Sequence, residues 1–233
     1  MKIGIMQPYL FPYIGYFQLI NAVDIFIIHD DVQYIQAGWI NRNRILYTGR
    51  EFLFTFGVKK DNYTKKINER YFSDNFLKEK KKFLGTLRIA YSKAPNYDVT
   101  FDLVEGILNE QEKNISIMTT KSLKIICSYL QIETQFSISS QLEKNNSLTS
   151  QDRVIELNKK SNSSHYINPI GGMELYSKEK FLAHGIQLSF LKPKDIVYQQ
   201  FQNGFIPWLS IIDVLMFSSI EETKNMLNQY ELI

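Results

Sequence analysis

The first thirty residues constrain the fold most. Residues 2–7 (KIGIMQ) form a short apolar run stopped by Pro8, which reads as a buried strand ending in a turn. Residues 13–23 (YIGYFQLINAV) place Ile14, Phe17 or Gln18, and Leu19 to Ile20 at helical spacing, and residues 24–30 (DIFIIHD) are again short, β-branched and aromatic. Strand, helix and strand in so short a span make a βαβ unit, whose strands pair in parallel and are covered on both faces. The expected fold class is therefore α/β, with a Rossmann-like parallel sheet.

Downstream, residues 52–58 alternate as a further strand, and residues 74–91 carry Phe76, Leu77, Phe83, Leu84 and Leu87 as an amphipathic helix. Helices are expected to continue through 101–109 and 115–130, with a strand at 132–138 and a flexible Ser, Asn and Gln-rich loop at 139–150. The last third reads as a helix over 152–158, strands at 165–169 and 187–191, and helices at 178–184 and 210–217. With no repeat and no clear linker, the expectation is one mixed domain: a βαβ start to residue 60, a helical insertion over 61–135, and an αβ region over 136–233.

Bulk properties exclude several function classes. A net charge of +3, from 27 basic and 24 acidic residues, is far short of a dedicated nucleic-acid binder. The basic run at 78–82 reads as a solvated helix face, so neither a nucleic-acid nor a membrane partner is expected. The single cysteine, Cys127, sits in a helical run and reads as a core thiol. No apolar stretch reaches the roughly 18 residues of a membrane helix, and prolines break the apolar start where a signal peptide would run. A cytoplasmic protein follows as the expectation.

In open parallel sheets ligands sit beyond the carboxyl ends of the strands. Here the first such turn offers Gln7, Tyr9, Tyr13, Gly15 and Tyr16, with two prolines fixing the backbone and Gly15 permitting close approach. Tyr13-Ile14-Gly15-Tyr16 falls where nucleotidylyltransferases carry His-x-Gly-His, a likeness that points to a HUP-type fold. Tyrosine brings hydrogen bonds but no cationic charge, which counts against adenylyl transfer. Packing of an aromatic helix on the sheet is the plainer alternative for these rings.

The second strand ends in Asp30 and Asp31, carboxylates placed to act as a general base or, equally, as turn residues. Gln33, Trp39, Asn41, Arg42, Asn43 and Arg44 follow, a set suited to a phosphorylated, hydroxyl-rich ligand, with one arginine left for solvated surface. In the last third Tyr166, Gly171, Gly172 and Tyr176 allow either an anion-binding turn or an ordinary one. Tyr198, Gln200, Phe205, Trp208 and Ser210 combine flat surfaces with polar tips. Ser210 and Asp213 are spaced as a capping box, and Leu209, Ile212, Leu215 and Met216 read as core. His29, His165 and His184 are isolated, and no metal-ligand spacing is present.

Three groups of residues carry a family likeness: Gln7-Pro8-x-x-x-Pro12-x-x-Gly15-Tyr16-Phe17, Asp31-Val32-Gln33-Tyr34, and Trp39-x-Asn41-Arg42-Asn43-x-Ile45. With Tyr91 to Pro95, Tyr166 to Tyr176, Gly185-Ile186, Tyr198-x-Gln200 and Phe205-x-Pro207-x-Leu209-Ser210-x-x-Asp213, the chain resembles the WbqC-like family along nearly its whole length. Asn168-Pro169 and Ser218-Ser219-Ile220 depart from the family pattern. The resemblance implies a bacterial enzyme of surface-polysaccharide (O-antigen) assembly. Pathway logic then suggests an N-acyl or aminoacyl transferase acting on a nucleotide-linked amino sugar. Degenerate nucleotidylyl transfer and non-catalytic nucleotide-sugar binding are the alternatives. A nucleotide or nucleotide-linked sugar is the expected ligand and a homodimer a possible assembly; no particular cofactor is indicated.

Overall fold

The computed structural model describes residues 1–201 and 204–233. Its centre is a six-stranded sheet in the order β5-β2-β1-β6-β7-β8. The strands are β1 (Lys2–Met6), β2 (Ile25–Ile28), β5 (Gln135–Ile138), β6 (His165–Pro169), β7 (Gln187–Pro193) and β8 (Tyr230–Leu232). The first five run parallel, and β8 closes one edge antiparallel to β7. This is a Rossmann-like arrangement: the chain works outward from β1 to one edge, then returns to start β6 on its other side. Connections thus reverse between β1 and β6, and in open parallel sheets ligands bind on the carboxyl side near such a reversal.

Alternation along each strand supplies two faces. Phe26 and Ile28 of β2 join the larger core, under α1 (Ile14–Asn21), α4 (Ile115–Tyr129), α7 (Ile211–Phe217) and α8 (Ile220–Leu227). Ile3, Ile5, Ile27, Tyr166, Leu188 and Phe190 face the other way, beneath α5 (Ser150–Lys160) and α6 (Lys178–Leu182). Both faces are apolar because both are covered, as a parallel sheet requires. Between the first βα units and β5 lie a hairpin and the helices α2 (Phe76–Tyr91) and α3 (Tyr97–Asn109).

The hairpin, β3 (Arg42–Tyr47) and β4 (Arg50–Thr55), is the main departure from expectation. The sequence pattern marks only its second strand and assigns no element to Arg42 to Arg44. Tyr47 pairs with Arg50, leaving the two-residue turn Thr48-Gly49 with φ of +48° and +76°. Two positive φ values in succession match the twist of antiparallel strands, and glycine at the second makes the turn affordable. The helix α8 and strand β8 were also not anticipated. The stretch 139–150, expected to be a flexible loop, is tied down: Ser139 and Ser140 bond to Asp31 and Asp30, and Lys144 is buried against Asp31.

Candidate functional site

The amino-terminal loop is shaped by hydrogen bonds to its own backbone. Buried Phe11 adopts φ of +49°, an uncommon conformation for a bulky side chain, so something must hold it. Its carbonyl accepts from Asn43 Nδ2 at 2.7 Å and Ser210 Oγ at 2.8 Å. Ile211 N reaches the Pro12 carbonyl at 2.8 Å, which stitches the start of α7 onto the loop. Asn43 and Ser210, expected to meet ligand, therefore spend their polar groups here. Ser210 also caps α7 by accepting from Ile212 N.

Asp213 does not complete the capping box. Its carboxylate accepts from Tyr91 Oη at 2.6 Å, Tyr198 Oη at 2.6 Å and Gln200 Nε2 at 2.8 Å. Buried phenols need an acceptor, and a fully buried carboxylate supplies one. Burial pushes the Asp213 pKa up, while the three donors pull it back only in part. Tyr91 Oη in turn accepts from Leu46 N at 2.8 Å, so α2, α7, the hairpin and the segment after β7 meet at one polar knot.

Two clefts lie beside that knot. The first, of about 370 Å³, is walled by Tyr13, Tyr198, Phe205, Pro207, Trp208 and Val214, with Lys194 and Asp195 at its rim. It sits between the start of α1, after β1, and the segment after β7, hence over the carboxyl edge beside the reversal point. The second, of about 280 Å³, holds Tyr9, Pro12, Tyr13, Trp39, Asn43, Arg44 and Trp208. Tyr13 and Trp208 are common to both, their ring centroids 5.9 Å apart and tilted by 59°. Trp208 is 62% exposed and has φ of +61°, a strained conformation for a large side chain. Trp39 completes the second cleft beneath the Arg42 and Arg44 guanidiniums, 5.3 and 5.1 Å from its ring.

Burial raises the pKa of Tyr9, Tyr13 and Tyr198, so these rings enter the clefts as neutral phenols. Tyr16 does not enter: it is buried, and its hydroxyl donates to the Gln7 carbonyl at 2.7 Å. Gly15 lies under the Tyr13 ring, where an added Cβ would come within 2.3 Å of Cε2. Asn41 is internal, bonded to the Phe56 carbonyl and Tyr34 Oη. Gln200 bonds the Ile206 carbonyl and amide besides Asp213. Gln33 is exposed and donates to the Tyr63 carbonyl.

Tyr166 and Tyr176 pack with Phe181 on the opposite face of the sheet and line neither cleft. Gly171 has open space about it, but a Cβ on Gly172 would fall 1.8 Å from Asn168 Nδ2. Close packing of the Asn168 amide thus explains Gly172. Gly172→Ala is expected to cost about 2 kcal/mol, because the amide it displaces is itself held by Tyr166 Oη. Urea unfolding checks this, and an unchanged midpoint would show the turn to be looser than drawn.

At the end of β2, Asp31 is buried in an ion pair with Arg153 (2.5 Å) and Lys144 (2.8 Å) and accepts from Ser139 Oγ (2.7 Å). Burial acts to raise its pKa, but the bonds from Lys144 and Ser139 and the charge of Arg153 outweigh it, leaving the carboxyl below its ordinary range. Asp30 accepts from the Ser140 amide and hydroxyl at 3.0 and 2.7 Å. Neither aspartate lines the two clefts. Cys127 is buried in the core, which lifts its thiol to about 12 and leaves it unreactive. Among the described residues no group of three or more His, Cys, Asp or Glu side chains is placed to hold a metal, and no helix is long and apolar enough to cross a membrane.

Of the expected site residues, the structure brings Tyr9, Tyr13, Trp39, Asn43 and Tyr198 to the clefts, together with Phe205 and Trp208. Sequence reading missed Lys194 and Asp195, although their place directly after a parallel strand marks them. The WbqC-like protein family profile matches residues 7–225. The chain belongs to the WbqC-like family. An uncharacterized protein of Mycobacterium tuberculosis is 30% identical over 217 residues, 92% of each chain. No solved structure matches this WbqC-like chain.

Proposed function

We propose that this WbqC-like protein is a transferase of surface-polysaccharide assembly that takes a nucleotide-linked amino sugar in the aromatic cleft and acylates or aminoacylates its nitrogen. The observation that carries the reading is Trp208. A strained backbone holds its indole exposed between two clefts, opposite Tyr13, in the arrangement that flat rings such as a base or sugar require. Its cleft lies between the segments that follow β1 and β7, on the carboxyl side of the parallel sheet, which supports the nucleotide part of the reading and a HUP-type fold.

An amine must lose its proton to attack an activated carbonyl. In the proposed step a bond forms from that nitrogen to the acyl carbon, the bond to the donor's leaving group breaks, and the proton passes to a carboxylate. Asp31 is a poor base because its cations hold it low. Among the described residues Asp195 is the one carboxylate that lines the larger of the two aromatic clefts, and we assign it the role.

Thermal unfolding with uridine and thymidine nucleotides, their amino-sugar conjugates and ATP tests the proposal. At about 100 times its dissociation constant a bound conjugate stabilises by about 2.7 kcal/mol, on the order of 5 to 10 °C. The rise is expected with conjugates, reduced in Trp208→Ala and retained in Asp195→Asn, which should bind without turnover. A rise with ATP alone would replace this reading by nucleotidyl transfer, and no rise with any conjugate would end it.

A further inference from the structure

A third cleft, of about 580 Å³, opens where the loop before β3, the open end of the hairpin at Arg42 and Thr55, and residues 57–61 meet. Four cations line it: Arg42, Lys59, Lys60 and Arg70. Lys59 is paired with Asp74 at 3.0 Å. Among the described residues the one acid in the lining, Asp61, is held by Lys65 at 2.7 Å. Among the described residues, Arg42, Lys60 and Arg70 have no carboxylate partner.

Arg70 is the unusual member. It is 8% exposed, and its two terminal nitrogens donate to the carbonyls of Asn62 (3.0 Å) and Lys59 (3.2 Å), while Nε has no acceptor. Its guanidinium lies 4.9 Å from the Tyr34 ring, and Tyr34 Oη is fixed by Asn41. The charge is therefore immobilised without being neutralised. Arg42 repeats the pattern in part: it is half-buried, its guanidinium lies over the Trp39 ring and donates to the Ala37 carbonyl, and its buried Nε also lacks a partner. Burying a guanidinium costs free energy that neutral carbonyls and ring faces offset only in part. One buried and one half-buried guanidinium beside a solvent-facing lysine make a place where an anion gains more than it would at an ordinary surface.

We propose that this cleft is an anion site for a phosphate-bearing small molecule, with Arg42 and Arg70 as fixed charges and Lys60 closing from the solvent side. Guanidinium forks match the oxygens of phosphate in geometry as well as in charge, which favours phosphate over a lone carboxylate. The site is separate from the larger aromatic cleft, with which it shares no lining residue, and does not depend on what that cleft takes. The smaller aromatic cleft adjoins this site through Trp39, which lines that cleft and carries Arg42 on its ring.

The probe is inorganic pyrophosphate, titrated calorimetrically into wild type, Lys60→Glu, Arg42→Gln, Arg70→Lys and Trp208→Ala at constant ionic strength. Saturable binding is expected in wild type, weakened by about tenfold or more in Lys60→Glu and Arg42→Gln and unchanged in Trp208→Ala. Lys60 is exposed, so its variant folds whatever the fate of Arg70→Lys. Absence of saturable binding at millimolar pyrophosphate, or equal binding in wild type and the Lys60 and Arg42 variants, would overturn the proposal. Loss in Trp208→Ala alone would place pyrophosphate in the aromatic cleft and overturn it too. Because Trp208→Ala separates the clefts, failure here leaves the nucleotide-sugar reading standing, and the converse holds.

Discussion

Replacing Asp31 by asparagine is expected to destabilise the protein by about 3–5 kcal/mol, lowering the melting temperature by on the order of 10 °C. Asparagine keeps the shape of the side chain and removes the charge. Arg153 and Lys144, whose side chains are 11% and 2% exposed, would then face each other without the anion that now lies 2.5 and 2.8 Å from them. Breaking a buried pair from one side costs more than the pair contributed, because the remaining charges stay desolvated. The bond from Ser139 Oγ and the docking of the segment carrying Lys144 should loosen together. Replacing all three by apolar residues of similar volume should restore much of the loss. Urea and thermal unfolding read the result. A variant that melts like wild type but has lost turnover would return Asp31 to the chemistry and remove it from the architecture.

That contrast shows where the sequence was informative. The position of Asp31 at the carboxyl end of β2 follows from the first thirty residues, since the period and length of 2–7, 13–23 and 24–30 leave little choice but β1, α1 and β2. The long amphipathic runs likewise mark α2 and α4. What the side chain meets is a different matter. Its partners lie 108 residues away at Ser139 and 122 away at Arg153, in stretches that read as polar loop and ordinary helix. Nothing local announces such an ion pair.

The same limit governs the clefts. Tyr13, Tyr198, Phe205 and Trp208 stand out in the sequence as large flat residues with polar tips or exposed faces near strand ends, yet Tyr16, of the same kind, packs in the core. Asn43, Gln200 and Ser210 looked alike in sequence, yet buried backbone groups claimed them; Ser210 serves a carbonyl 199 residues distant. β3 was hidden for a related reason. Its inward positions include a buried asparagine, Asn43, so the apolar alternation that marks a strand is broken where Asn43 supports Phe11. The cations of the third cleft come from three separate stretches of chain, and only folding makes their shortage of acids visible.

His29 should make the protein acid-sensitive over a window set by its own surroundings. It follows β2, its amide bonds the Met6 carbonyl, and its Nε2 is buried with no partner. Burial lowers its pKa from 6.5 to about 4; Asp31 works against the shift, while Arg153 and Lys144 add to it. Between about pH 6.5 and 4 the unfolded chain takes up a proton that the folded chain refuses, so stability must fall as pH falls. Over the whole window the loss is on the order of 3 kcal/mol. His165, also lowered by burial, adds in the same direction. The depressed pKa of Asp31 extends the decline below pH 4, since its contribution is present above the unfolded value and lost as pH drops through the folded one. His29→Gln should therefore flatten the stability profile between pH 6.5 and 4 and leave the steeper acid limb in place. Denaturant unfolding at intervals across that range distinguishes the two limbs. An unchanged slope in the variant would mean that another group, with His165 the first to examine, takes up the proton on unfolding.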